Sequence, residues 1–503
     1  MFSIILSHRN IQRPLAPPIL RLIVVGLILL LAGQGLQAQI VANGAVSGQW
    51  NGQVRVVGNI WVPMSDTLVI APGTRISFEG NFSLEVNGML LAQGIHGQPI
   101  VFTGNALWRG IYFRPSADPS SQLFECEIVN AWIGVQTERT SIGILNCSID
   151  AVSIGINSID ASPNISANYM IRARSDDTQE GSVRAISLNG RSNPLITNNS
   201  QIIAISNQRG SAFGIWITSA SPTIEANWID AISVQSAVSI YARGSEKIRI
   251  RRNIIRANSN VMMRGVWTVY STIDLISNDV FLLTSTDNAT GLIVGNGSTV
   301  KVINNIIYGN GRSVGDSTLD GRVDSSSGYN NYFNHYVNHV GEWQGYEEVT
   351  ADPLFENFEE SNYHLTRDEP VYSPCIDAGH PDIIDPDDRY RTRSDIGRYC
   401  FVYQPNAASG DPAPVANGFI LHPAFPNPFN RTTQFSFELA LPGPASVAVF
   451  DLSGRRIQSL WDSPAAAGVH QIVWSATGLP AGEYLIRLDA SDRSQTSRVV
   501  FLP

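Results

Sequence analysis

The sequence predicts an all-β chain: a long coil of short strands, followed by a separate compact all-β unit. Three observations carry this reading. A column of equivalent positions recurs at Cys126, Cys147, Asn168, Asn199, Asn227, Asn253, Asn278, Asn305 and Asn331, with gaps of 21, 21, 31, 28, 26, 25, 27 and 26 residues. A period in the twenties is the signature of a stacked repeat. The runs between these positions are short, β-branched and broken by Asn, Gly and Ser, which marks strands. Finally, residues 404–417 are a linker by composition, and the pattern changes after them.

The column itself follows from stacking. Successive coils lie ~4.8 Å apart along the axis. An asparagine amide can donate to the next asparagine and accept from the previous one, so one Asn per coil forms a ladder. Apolar residues sit three before the column (Ile165, Ile196, Ile224, Ile250, Leu275, Val302) and shortly after it (Met170, Ile202, Ile229, Ile255, Val280, Ile307, Phe333). This arrangement resembles the asparagine ladder of the pectate-lyase-like superfamily. That resemblance covers roughly residues 45–350 and implies a right-handed single-stranded parallel β-helix, assigned to residues 39–349.

Residues 1–38 read as a signal peptide. Arg9, Arg13 and Arg21 give a positive start, Leu22–Ala32 is apolar, and Leu36-Gln37-Ala38 offers a cleavage site. The opening rungs are Val54–Val56, Thr67–Ile70, Arg75–Phe78, Ser83–Val86 and Pro99–Phe102, separated by turn formers such as Pro72-Gly73. The phrase from Val62 to Thr74 resembles the entry rungs of secreted bacterial β-helices.

A second recurring strand opens on a small residue: Gly110, Gly134, Gly155, Ala185, Gly214, Ala237, Gly265 and Gly291. Side chains alternate along a strand. With the first apolar residue inward, Tyr112, Gln136, Asn157, Ser187, Trp216, Ser239, Trp267 and Ile293 form an outward column. Trp216, Trp267, Tyr241 and Tyr112 are the candidate ligand-binding residues, because aromatic faces suit the C–H surfaces of sugars; the plainer reading is that they fill gaps between loops. Loops before this strand are longest between Asn168 and Gly214, where 172–181 is a candidate groove wall; the plainer and favoured reading is solvated decoration.

Cys126 and Cys147 fall on consecutive rungs, with Cα atoms inside the disulfide window. A bridge there would contribute about 3 kcal/mol; two stacked thiols are the alternative. Cys375 and Cys400 form a second candidate pair. Residues 350–403 are expected to be a terminal cap that protects the last edge strand. Asp352–Phe355, Ser373–Gly379 and Asp395–Gly397 resemble a segment that follows secreted β-helices.

Phe425-Pro426-Asn427-Pro428-Phe429-Asn430 opens the second unit, with strands at Val447–Asp451, Gly468–His470, Val473-Trp474 and Gly482–Leu488. This order resembles the C-terminal sorting domain of the type IX secretion system, a small Ig-like β-sandwich related to FlgD-like modules, here over 418–503. The resemblance implies an outer-membrane secretion machinery as partner, in a Bacteroidota-like bacterium, and a secreted or surface-attached product.

Hydrophobic residues make up 43% of the 503 and charged residues 15%, enough apolar material for a long core. A net charge of −9 argues against nucleic acid, which needs a basic surface. A polysaccharide or surface glycan is the expected ligand, bound by a monomer. The alternative is a polysaccharide lyase or glycoside hydrolase on an acidic glycan, with Arg243, Lys247 and Arg264 as catalytic candidates and Arg184 and Arg191 nearby. No clustered Asp set accompanies them. The basic run Lys247–Arg252 reads as an exposed strand with charges outward. Asp316, Asp320 and Asp324 recur every four residues, unlike an EF-hand, whose ligands recur every two. No cofactor is expected, and calcium at these aspartates is the one left open. His335 and His339, four apart, lack a third zinc ligand nearby.

Overall fold

The repeat folds as stacked coils with three walls per turn. In a computed structural model, the described residues are 39–399 and 419–501, apart from short interior stretches, chiefly 176–180, 317–320, 340–344, 367–371, 384–392, 425–428 and 440–442. The predicted leader 1–38, Asp320, Cys400 and the linker 404–417 lie outside them. Two compact units are present, residues 1–401 and 402–503.

One coil shows how the pattern works. Thr223–Glu225 lies in a twelve-stranded sheet, while Trp228–Ser233 and Ser236–Arg243 lie in a twenty-two-stranded one. Each strand pairs in parallel with its equivalents one coil before and after. Ile165, Ile196, Ile224, Ile250, Leu275 and Val302 stack in register, all buried. Opposite them stand Ile171, Ile202, Ile229, Ile255, Val280, Ile307 and Tyr332. Met170 and Phe333, expected in that column, are each one residue out and face outward; strand alternation makes such a slip a change of face.

The turn into the second wall is sharp. The residue before each rung position is left-handed: Ala167, Asn198, Ala226, Arg252, Ser277, Asn304 and Tyr329 all have φ between 54 and 57°. This turn aims the following asparagine inward. Asn168, Asn199, Asn227, Asn253, Asn278 and Asn305 each donate from Nδ2 to Oδ1 of the next rung at 2.7–3.0 Å. The second amide hydrogen reaches the carbonyl of the buried apolar residue one coil earlier, as Asn253 does to Ile224 O at 2.9 Å. The ladder ends on Asn330, not Asn331. Asn305 donates to Asn330 Oδ1, and the turn residue is Tyr329. Asn331 instead donates to Ala351 O.

The first two rungs carry free thiols. Cys126 and Cys147 are buried, unbridged, and in register through Glu127 and Ser148. In-register side chains run side by side, so their Cβ atoms stand about one strand spacing apart, ~4.8 Å, against ~3.8 Å in a disulfide. The Cα test alone misses this. Cys375 is also a buried free thiol.

The small-residue strand opens the third wall, and close packing explains its composition. A Cβ on Gly265 would lie 2.4 Å from Val280 Cγ1 and 2.5 Å from Gly291 O. Gly214 is equally confined by Ile229 and Ser239 O. Ser239 occupies this column, between Val238 and Ile240, and its hydroxyl donates to Arg256 O at 2.7 Å.

Residues 352–399 do more than close the end of the coil. The end itself is met by 346–349, where Tyr332 donates to Val349 O and Gly328 bridges Tyr346. The following segment, a strap, runs back along the second wall. Its hairpin Phe355–Asn357 and Asn362–Leu365 lays Phe355, Phe358 and Tyr363 over Phe281 and Tyr308. Arg398 reaches further, donating from Nη1 to Asn227 O and Arg252 O at 2.9 Å.

The second unit pairs a three-stranded antiparallel sheet (Phe419–Leu421, Thr432–Leu439, Gly468–Ser475) with a four-stranded one (Arg456–Ala465, Gly443–Asp451, Gly482–Ala490, Arg493–Phe501). Phe437 and Trp474 from the first share a core with Val447, Ile486 and Val499 from the second. This is the expected small sandwich.

Candidate functional site

The outward column of the third wall is continuous. Parallel register links Trp61, Glu85, Tyr112, Gln136, Asn157, Ser187, Trp216, Tyr241, Trp267 and Ile293. Tyr241 therefore stands where Ser239 was expected. The two-residue slip arises because Ala237 was aligned with Gly214, whereas Ala237 pairs with Ala212. With Tyr241 in place, Trp216, Tyr241 and Trp267 occupy three consecutive rungs.

The rings touch. Trp216 and Tyr241 centroids are 4.4 Å apart, Tyr241 and Trp267 5.3 Å, and Phe213 meets Trp216 edge-on at 4.7 Å. They form a cluster apart from the core, with Val238 beneath and Met262 and Val269 alongside. Phe213, three residues before Trp216, joins the cluster because strand alternation breaks at Gly214, which the register passes over together with Ala185 and Ser239. Tyr241 is 8% exposed, so the accessible rings are the half-buried Trp216 and Trp267. Trp216 is fixed by its indole N–H, which donates to Thr218 Oγ1 at 2.9 Å.

Arg184 lies over the Trp216 ring, 4.3 Å from its centroid. Burial lowers its pKa from the ordinary guanidinium value, and its Nε has no partner among the described residues. It stands one rung before Phe213. Arg264 lies two rungs beyond Arg184's neighbour Phe213, and its guanidinium is held by Met263 O and by Asn288 O and Oδ1. Arg243 flanks the cluster, pairing in register with Thr218 and Val269, and is exposed. Lys247 and Arg191 are exposed at turns. The structure thus brings Arg184, Trp216, Tyr241 and Trp267 together, with Arg264 and Arg243 at the rim. Tyr112 lies four rungs before Trp216, ~19 Å along the axis, and bonds its hydroxyl to Arg109 O. Burial raises its pKa. Between Tyr112 and Trp216 the column is polar, with Asn157 Nδ2 donating to Gln136 Oε1 at 2.9 Å and Asn189 Nδ2 to Asn157 Oδ1 at 3.2 Å.

No group of three or more His, Cys, Asp or Glu poised for a metal occurs among the described residues. Asp324 caps its own turn, accepting from Ser326 N and Oγ, which lowers its pKa. Asp316 ends the strand Arg312–Asp316. His339 Nε2 lies 2.7 Å from Glu348 Oε2, with Tyr332 edge-on to the ring. His335 Nε2 is 2.8 Å from Ile307 O. In the basic run, Ile248 and Ile250 are buried while Arg249 and Arg251 are exposed, as the plain strand reading expects.

One constellation was missed in sequence. On the second wall, Asp150, Arg172, Ile203, Asp230, Arg256, Phe281 and Tyr308 form an outward column. Arg172 pairs with Asp150, and Arg256 with Asp230, each at 2.6 Å. The phrases Ile149-Asp150-Ala151, Ile171-Arg172-Ala173, Ile229-Asp230-Ala231 and Ile255-Arg256-Ala257 carry the signal, one motif with alternating charge.

Residues 423–501 match the secretion system C-terminal sorting domain. No curated protein and no solved structure matches the chain. A β-solenoid joined to a sorting domain of this kind is a protein exported by type IX secretion to the cell surface or the extracellular space.

Proposed function

We propose that the solenoid is an exported glycan-binding protein, taking polysaccharide on the outward column of its third wall. The observation that supports this is the Phe213–Trp216–Tyr241–Trp267 cluster, separate from the core and open through two indole rings. Indole faces stack on the apolar faces of sugar rings, and a row of them suits a linear polymer. Arg184 adds a cation at the edge, stacked on Trp216. The sorting domain brings in the secretion machinery as the second partner.

The test is titration of the full chain with a panel of neutral and acidic polysaccharides, followed by tryptophan fluorescence. Trp216→Ala with Trp267→Ala is expected to abolish the fluorescence change and the binding. Binding that survives the double substitution removes this assignment. Ultraviolet absorbance from unsaturated sugars, or new reducing ends, would instead make the protein a lyase or hydrolase and move attention to Arg243, Lys247 and Arg264.

A further inference from the structure

Asp279 is 1% exposed on the outer surface of the second wall, between Ile254 and Ile306 in register. An acidic side chain here would face water on a bare solenoid. The strap covers it. Ile306 packs with Leu365, Cys375 and Ile396, and Gly397 passes directly over the carboxylate. A Cβ on Gly397 would lie 2.6 Å from Asp279 Oδ1 and 2.7 Å from Ile306 Cδ1, and its φ is +107°. Only glycine fits this approach. Oδ1 accepts from Arg398 N at 2.9 Å, while Oδ2 has no partner among the described residues. The Arg398 guanidinium is turned away to Asn227 O and Arg252 O.

We propose that Asp279 is a proton-operated latch: its neutral acid seats the strap, and its carboxylate loosens it. A buried carboxylate with one hydrogen bond and no ion pair is costly, whereas the neutral acid is not. The charged and titratable groups facing it are few. From the strap come Arg398, whose nearby charge opposes the effect of burial, and Cys375, whose thiol also feels Asp395 and Asp352. On the wall its register neighbours are the uncharged Ile254 and Ile306.

The sign follows from linkage. Burial pushes the seated Asp279 up to about 7, and release returns it to the ordinary 3.8. Between these values the released state is ionised and the seated state is not, so rising pH favours release; above about 7 the effect saturates. Between pH 5 and pH 9 the opening equilibrium should shift by up to roughly a hundredfold.

The experiment is hydrogen exchange on the full chain at pH 5 and pH 9, corrected for intrinsic rates. Amides of residues 394–399 are expected to lose at least tenfold protection at pH 9, while 54–62 stay constant. Asp279→Asn should flatten that difference, and Gly397→Ala should lower protection at both pH values. An unchanged wild type overturns the proposal. So does a pH difference that persists in Asp279→Asn. Should Asp279→Asn fail to fold, the infrared carboxyl band of the wild type decides: a midpoint near 7 supports the latch, and a midpoint near 4 refutes it.

Discussion

Asn253 Nδ2 donates to Asn278 Oδ1 across 2.9 Å, although 25 residues separate the two in sequence. The same Asn278 oxygen accepts the Asn253 backbone N–H at 2.9 Å, so one side chain satisfies a neighbour's amide and its peptide group together. The rung is completely buried.

Asn253→Ala should therefore be severe. It strips the acceptor from both Asn227 N and Asn227 Nδ2 and removes the donor to Ile224 O. Leaving these buried groups unpaired costs about 3–5 kcal/mol. A shift of the urea midpoint with unchanged slope checks it. Asn331→Ala, off the ladder, should cost much less.

Gly265→Ala forces a methyl against Val280 and Gly291 O. Overpacking of this kind costs about 1–3 kcal/mol. Gly443→Ala, with nothing within 4 Å of the added carbon, serves as the control and should be near neutral. Thermal unfolding of the two variants makes the comparison.

Arg256 bonds Asp230 at 2.6 Å, Tyr363 Oη and Ser361 Oγ at 3.2 Å, and lies 4.8 Å over the Trp228 ring. Arg256→Ala leaves the buried Asp230 without its ion-pair partner, held only by the Trp228 indole N–H at 3.0 Å, at a cost of about 3–5 kcal/mol. Asp230→Ala in the same chain should restore part of that loss. A double-mutant cycle by denaturation measures the coupling.

Cys126 is buried, and burial raises its thiol pKa well above the ordinary value. A raised thiol pKa keeps the unreactive protonated form as pH climbs through 8 and 9. Native protein should resist a thiol reagent at pH 8 and react fully once unfolded. Equal gel mobility with and without reductant would agree with unbridged Cys126 and Cys147.

Removing residues 423–501 should abolish delivery outside the cell, with the solenoid held in the periplasm. Cell fractionation of the truncated chain tests this; normal surface display would mean that another signal suffices.

The ladder and the sandwich were legible because identical residues stack at identical positions, and repetition is visible without geometry. The errors have a common source, since a one- or two-residue slip leaves the repeat looking intact. Asn330 and Asn331 are adjacent and identical in type, and only the left-handed Tyr329 distinguishes them. Ala237 resembles a small-residue opener, yet Ser239 holds that place and donates its hydroxyl to Arg256 O. The aromatic cluster was half visible: Trp216 and Trp267 stood out, whereas Phe213 joins them only because strand alternation breaks at Gly214. The strap was opaque for a different reason. Its partners lie as far as 171 residues away, and nothing periodic links them.

That strap alters how the solenoid should come apart. A stacked coil held only by neighbours loses its turns one by one from either end, each at its own free energy. Arg398 fastens the Asn227 and Arg252 turns, Gly397 the Asn304 turn, and Tyr363 the Arg256 side chain. Turns from about Asn227 onward are thus bound crosswise and must fail as a block, while those before it remain free to fray singly. Under tension the coil should behave as two materials in series: a soft, gradually unwinding leading half and a brittle, all-or-none trailing half.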